Sequence, residues 1–333
     1  MYLNSTLELT LSVDAEKFYE LLDRVYDRSE HSGSNKLVDQ SLESKGILVT
    51  YHDRQYKKKV QLTVNLNVLL DGDEPGQGKT DKLVRKLEKR VNSYFGSMYV
   101  LDDFSLSKMH LVTDINVGDR EKANAYIRVL QRIGKVKGFV PWRDDWLDDK
   151  ISFGLVGKSN GIEFAIHELE SLLLERSQQV DSEESEELKA LARKATGLLR
   201  TEVRLVKSAA IRAYANEVLA SDQIATLCGK GQKIFLDTFQ HIIPFGHFYK
   251  KSKAVEIICK EIKDMKTRRR MLRLVALAPE KKSLLLAQKA LNCRRIDDVM
   301  KAFGYIEVSP ITLSKRHDVK HLKNLYAFLD AAQ

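Results

Sequence analysis

The chain has 333 residues, 43% hydrophobic and 30% charged, so a proper core is available and wholesale disorder is excluded. Its net charge is +9, and Cys228, Cys259 and Cys293 lie more than 30 residues apart, which excludes a zinc site or a disulfide framework. No apolar run of about 18 residues occurs, and Met1-Tyr-Leu-Asn-Ser-Thr lacks the regions of a signal peptide, so a cytoplasmic chain with no spanning helix is expected.

The first 210 residues read as mixed helix and strand. Residues 3–13 have a strand pattern, and Ala15 to Tyr26 sets Phe18, Leu21, Leu22 and Val25 on one helical face. A short strand is expected at 46–52. From Val60 a long alternation sets Val60, Leu62, Val64, Leu66 and Val68 against Gln61, Thr63, Asn65 and Asn67, a half-buried antiparallel strand. The segment Gly72-Asp-Glu-Pro-Gly-Gln-Gly-Lys79-Thr80 has the rhythm of a phosphate-binding loop. However, Asp73 stands where that motif needs glycine, which favours a plain connecting loop over a phosphotransferase site.

Lys79 to Phe95 reads as an amphipathic helix through Leu83, Leu87 and Val91, followed by a strand at 107–116. Asp119 opens a helix with Ala123, Tyr126, Ile127 and Leu130 inward, and Gly134 closes it. Strands are expected at about 150–156 and 161–168. The stretch Glu168 to Glu187 holds eight acids and one Arg, and 176–184 within it reads as a solvated loop. A helix at about 184–196 and a strand at 198–206 follow. After Lys207 helical periodicity takes over, with Pro244, Pro279 and Pro310 as breaks. The expected fold is therefore α+β. A largely antiparallel sheet with flanking helices occupies 1–207, and a basic helical region occupies 208–333.

The charge is unevenly placed. Residues 245–333 hold 20 Lys/Arg and 9 Asp/Glu, a balance of +11 that leaves −2 for the rest. The densest part, Lys263 to Arg273, contains Lys266, Arg268, Arg269, Arg270 and Arg273. Such a concentration points to an acidic partner, most commonly nucleic acid. Two short amphipathic helices between Ser283 and Phe303 flank Asn292-Cys-Arg-Arg, placing Arg294 and Arg295 in the turn of a possible helix-turn-helix. The pairs His241/His247 and His317/His321 read as surface histidines.

Three strands put ionisable residues on one side. His110 and Asp114 share a face of the first, Glu163 and His167 of the second, and Arg200, Glu202 and Arg204 of the third. If the strands are neighbours, one sheet face gathers imidazole, carboxylate and guanidinium. That mixture suits a hard cation and a phosphate, or else forms an ordinary solvated face.

The order Phe104-Ser-Leu-Ser-Lys-Met-His-Leu-Val-Thr-Asp114, Gly157-Lys-Ser-Asn-Gly-Ile-Glu-Phe-Ala-Ile-His-Glu-Leu-Glu170 and Leu199-Arg-Thr-Glu-Val-Arg-Leu205 resembles rolling-circle replication initiators of the filamentous-phage and plasmid type. The resemblance covers about residues 100–320 and is sharpest over 105–207. It implies a metal-dependent DNA nickase and strand transferase, in which a tyrosine hydroxyl attacks a phosphodiester and Mg²⁺ or Mn²⁺ polarises the phosphate. It implies origin DNA, duplex and single-stranded, as partner, with a host helicase and polymerase acting on the product. Glu202 then stands as a metal ligand, beside His110, Asp114 and Glu163, and Arg204 as a phosphate partner.

Two positions depart from that family. His110 replaces an acidic residue, with Asp114 on the same face as a substitute. His167 stands where the nucleophilic tyrosine belongs. Three readings of His167 follow: a relative that binds DNA without nicking it, a hydroxyl supplied instead by Tyr126 or Tyr214, or His167 itself as ligand or nucleophile. A non-catalytic replication regulator is thus the rival to a nickase.

Overall fold

The computed structural model describes residues 4–31, 35–72, 80–142, 151–316 and 318–330. Alternation of apolar and polar residues builds a ten-stranded sheet in which every neighbouring pair is antiparallel. In β1 (Asn4–Val13), Leu7, Leu9, Leu11 and Val13 are buried, while Thr6, Glu8 and Thr10 are half-buried on the other side. Asp14 then accepts the N–H of Lys17 and opens α1 (Ala15–Asp23), which lays Phe18 and Leu21 on the core.

The strands β2 (Ser29–His31), β3 (Lys36–Asp39), β4 (Ile47–Arg54) and β5 (Lys57–Asn65) form a meander that returns to β1. The short α2 (Leu66–Leu69) and the amphipathic α3 (Thr80–Phe95) lead to β6 (Ser105–Asn116), which pairs on the far side of β1. Next come α4 (Arg120–Gln131), β7 (Phe139–Pro141), β8 (Ser152–Gly157) and β9 (Ile162–Glu168). A helical hairpin of α5 (Leu169–Ser177) and α6 (Ser182–Lys194) precedes β10 (Leu198–Leu205). The strand order is β2-β3-β4-β5-β1-β6-β10-β9-β8-β7, so β10 is inserted between β6 and β9.

Helices after β10 complete the core. They are α7 (Ser208–Tyr214), α8 (Ala220–Ile242), α9 (Lys251–Glu261), α10 (Met265–Lys281), α11 (Leu284–Leu291), α12 (Ile296–Tyr305) and α13 (Tyr326–Asp330). The longest, α8, crosses the apolar face of the central strands. A Cβ at its Gly231 meets Leu111 and Met109 of β6 at 3.6 and 3.8 Å, so a small residue allows the close packing. Phe239 of α8 contacts Phe164 of β9, ring centres 5.9 Å apart, and stacks on Phe235. At the end of α4, Gly134 has φ +57° and the backbone of Lys282 and Ser283 lies against it. Leu284 and Leu285 donate to Ile133 and Lys135 carbonyls, which joins α11 to α4.

The fold class agrees with the sequence, and four local expectations are corrected. The alternation from Val60 stops at Asn65, whose side chain accepts the N–H groups of Asn67 and Val68; it caps α2 and leaves Val68 exposed. The acidic stretch is mostly helical, because Glu168 caps α5 and Asp181 caps α6, leaving only 178–181 between them. Pro279 sits inside the last turns of α10 and does not break it. The C-terminal region contains a strand pair, β11 (Phe248–Tyr249) with β12 (His321–Leu322). The glycine-rich loop at 73–79 and His317 lie outside the described residues, and among the described residues no helix is long and apolar enough to cross a membrane.

Asn324 secures the chain end. Its amide donates to the Pro244 and Gly246 carbonyls at 2.9 and 2.8 Å, and its oxygen accepts from Tyr326 N. Nearby, the Tyr126 hydroxyl donates to the Lys323 carbonyl at 2.7 Å. Replacing Asn324 with Ala strands two buried carbonyls. The substitution is expected to lower stability by about 2 kcal/mol, read as a reduced urea midpoint at unchanged slope.

Candidate functional site

The register of β6, β10 and β9 assembles the polar face. Arg200 stands opposite Asp114 on one side and His167 on the other. Glu202 lies between Val112 and Ala165, and Arg204 lies between His110 and Glu163. Directly opposed residues in an antiparallel sheet point the same way. His110, Asp114, Glu163, His167, Arg200, Glu202 and Arg204 therefore converge on one face, opposite the face that α8 covers.

Two charge clusters form there. In the first, Glu202 is 5% exposed and Arg204 Nη2 donates to its Oε2 at 2.5 Å. His110 Nε2 lies 3.2 Å from the same oxygen and 3.4 Å from Arg204 Nε. The other arm of Arg204 reaches Glu163 at 4.0 Å, and its guanidinium lies 5.4 Å from the Trp142 ring centre. A shallow cavity of about 310 Å³ opens above this cluster, lined by Thr6, Glu8, Lys108, His110, Glu163 and Arg204. In the second cluster, Arg200 grips Asp114 with two parallel bonds of 2.8 Å.

Burial alone pushes the Glu202 carboxyl upward. The hydrogen bond from His110, with the positive charge of Arg204, outweighs burial and holds it well below the usual carboxylate range. His167 is buried on the same face, and burial lowers its imidazole, which stays neutral. Its Nδ1 is 2.7 Å from Ser152 Oγ on β8, directly across the ladder. The next residue, Glu168, is fully buried and caps α5.

Among the described residues no group of three or more His, Cys, Asp or Glu is placed to hold a metal ion. The carboxylates of the face are already neutralised. Arg204 stands between Glu202 and Glu163, and Arg200 takes both oxygens of Asp114. As folded, these side chains do not fit a Mg²⁺ or Mn²⁺ site, and a cation at Glu202 requires Arg204 to withdraw first.

The two alternative tyrosines lie elsewhere. Tyr126 is 2% exposed on α4, and burial raises its hydroxyl well above the usual phenol range. Tyr214 of α7 lines a cavity with Asp237 and Thr238 of α8, on the helix side of the sheet. No tyrosine occurs in β6, β9 or β10.

The basic residues divide by role. On α10, Lys266, Arg269 and Arg273 are exposed and Arg270 is half-buried. Arg268 instead donates to the Ile262 and Lys263 carbonyls, capping the end of α9. Arg294 and Arg295 are exposed between α11 and α12, but Asp297 and Asp298 occupy the first turn of α12.

A further basic group went unread in the sequence. Lys59 shares the polar face, and its ammonium is lowered by burial and by the charges of Lys57, Lys108 and Arg54, with Glu8 opposing. Tyr56, at the tip of the same β4–β5 hairpin, is 92% exposed. The run Lys57-Lys-Lys59 and the alternation Thr6, Glu8, Thr10 were the available signals. Comparison with family models and with curated proteins finds no match for this chain.

The buried His167 makes stability pH-dependent. Its folded pKa lies below that of the unfolded chain, about 6.5, so the unfolded state alone takes up a proton as pH falls through that value. Stability is expected to fall from pH 7 to pH 5. His167→Gln, which keeps a partner for Ser152, flattens that slope in urea titrations. A second loss, below about pH 4.3, belongs to carboxylates such as Glu202 that are held low in the fold.

Proposed function

We propose that this chain is a DNA-binding replication protein of the rolling-circle-initiator type that holds origin DNA without the tyrosine transesterification of that family. One observation carries the reading: an arginine-lined polar face with no tyrosine in its three central strands, while Tyr126 and Tyr214 lie on the helix side. Phosphate is met by guanidinium and ammonium groups. Arg204 and Lys108 line the cavity, with Lys57 and Lys59 beside it, and the exposed side of α10 adds Lys266, Arg269 and Arg273. Host helicase and polymerase are partners of the DNA complex in this reading, and the protein acts in the cytoplasm.

A second reading, strand cleavage, is favoured by the His110–Glu202 pair. Glu202 orients the ring through Nε2, and His110 lines the cavity, where an imidazole can serve as a base. Mg²⁺ or Mn²⁺ enters this reading only if Arg204 releases Glu202.

Supercoiled plasmid carrying the native origin separates the two. The expected result is retention of the plasmid with no nicked circles, with or without Mg²⁺ or Mn²⁺. Nicked circles that disappear in Glu202→Gln establish cleavage instead. Absence of any origin binding rejects both.

Joint replacement of Lys266, Arg269 and Arg273 by Ala is expected to flatten the salt dependence of duplex binding. The log–log slope changes by about 0.9 for each phosphate that is no longer neutralised. Arg268→Ala is expected to lower the melting temperature and leave the slope unchanged, because its guanidinium serves the Ile262 and Lys263 carbonyls that follow α9.

A further inference from the structure

A cavity of about 790 Å³ lies between the end of α8 and the α11–α12 pair. Its wall is largely apolar, with Pro244, Phe245, Leu285 and Met300. Its rim carries Lys137, Lys289, Arg294 and Lys301 against one carboxylate, Asp297. All four cations are exposed, and none is within ion-pairing distance of a carboxylate among the described residues. Phe245 is 49% exposed, an aromatic face left open on the wall.

A neighbouring cavity adjoins it. This second one, of about 420 Å³, shares Lys137 and His241 with it and continues past Phe139 and Tyr214 to Ile162. The junction is fixed. His241 Nε2 donates to the Lys137 carbonyl at 2.7 Å, and its ring lies 5.6 Å from that of Phe139. The two cavities adjoin on the helix side of the sheet and together run from the α11–α12 turn to Ile162 of β9.

An elongated track with an apolar floor, aromatic rings and a cationic rim fits a polymer that is anionic along its length and carries flat apolar rings. Duplex DNA hides its rings in the stack, whereas a single strand exposes them. The helix pair is also a poor major-groove reader, because Asp297 and Asp298 in the first turn of α12 meet phosphates with like charge.

We infer that this track binds single-stranded DNA, with bases against Phe245 and Tyr214 and phosphates at Lys137, Lys289, Arg294 and Lys301. The inference rests on the DNA-binding reading above and adds a strand-selective site apart from the polar sheet face. In an opened origin it would hold one strand while duplex lies on the basic surfaces.

The three cysteines supply a built-in test on the unmodified full chain. Cys293 is half-buried on the track wall, Cys259 is exposed on α9 away from it, and Cys228 is buried. A saturating oligothymidylate of about 12 nucleotides, within the usual site size, is expected to slow alkylation of Cys293 severalfold and leave Cys259 unchanged by mass spectrometry. An origin duplex of equal length is expected to protect neither. In anisotropy titrations, Arg294→Ala with Lys301→Ala is expected to reduce the salt slope for the oligothymidylate by about 1.4, at about 0.7 per single-strand phosphate. Phe245→Ala is expected to weaken oligothymidylate binding about tenfold.

If the oligothymidylate binds while Cys293 reacts at its free rate and the double variant is unchanged, the track is not the site and the DNA-binding reading stands. Binding of the duplex alone overturns the inference in the same way. If neither oligothymidylate nor origin duplex binds, the DNA-binding reading fails and takes the inference with it.

Discussion

The antiparallel pairing of β6, β10 and β9 is the constraint on which the rest depends. Along each strand apolar and ionisable residues alternate, so the register that buries Leu111, Val203 and Phe164 also aligns His110, Arg204 and Glu163 on the opposite side. A slip of one residue turns every side chain over and puts Glu202, Arg204 and His110 into the helix interface. Burying their charges there without partners costs far more than the ladder gains. The core and the polar face are therefore selected together by one register.

Electrostatics then decides what the face can do. A carboxylate as buried as Glu202 needs a compensating charge, and Arg204 supplies it from two residues along the same strand. A guanidinium offers several donors in a plane, so one Arg204 serves Glu202 while reaching Glu163 and lying near Trp142. The consequence is a face whose three carboxylates are engaged by two arginines, with further lysines at the rim. Lys57 and Lys59 lie at one end, where Lys108 pairs with Glu8, and the exposed Lys266, Arg269 and Arg273 of α10 lie at another.

The helices after β10 do more than carry charge. Phe235 and Phe239 of α8 belong to the same hydrophobic core as the sheet, and Asn324 and the β11–β12 pair return the chain end to α8. The track between α8, α11 and α12 is consequently walled by elements fixed to the sheet.

Much of this was legible in the sequence. The period-2 patterns identified β1, β6, β9 and β10, Asp119 opened a helix where expected, and the sharing of a face by the ionisable residues within each strand followed from spacing alone. Local competition defeated the pattern elsewhere. Asn65 can continue a strand or cap a helix, and its bonds to Asn67 and Val68 made the second choice. The acidic stretch looked like solvent-exposed loop because its charge masked two caps, Glu168 and Asp181. Residue type also concealed role: Arg268 is one of three consecutive arginines, yet only the fold turns it onto the Ile262 carbonyl at the end of α9. What the sequence determined by itself was therefore the alternation, and with it which residues share a face. Tertiary structure alone decided who their neighbours are. Arg204 between two carboxylates, Ser152 beside His167, and a track between α8 and α12 arise from long-range pairing and helix packing, and strand periodicity carries no information about either.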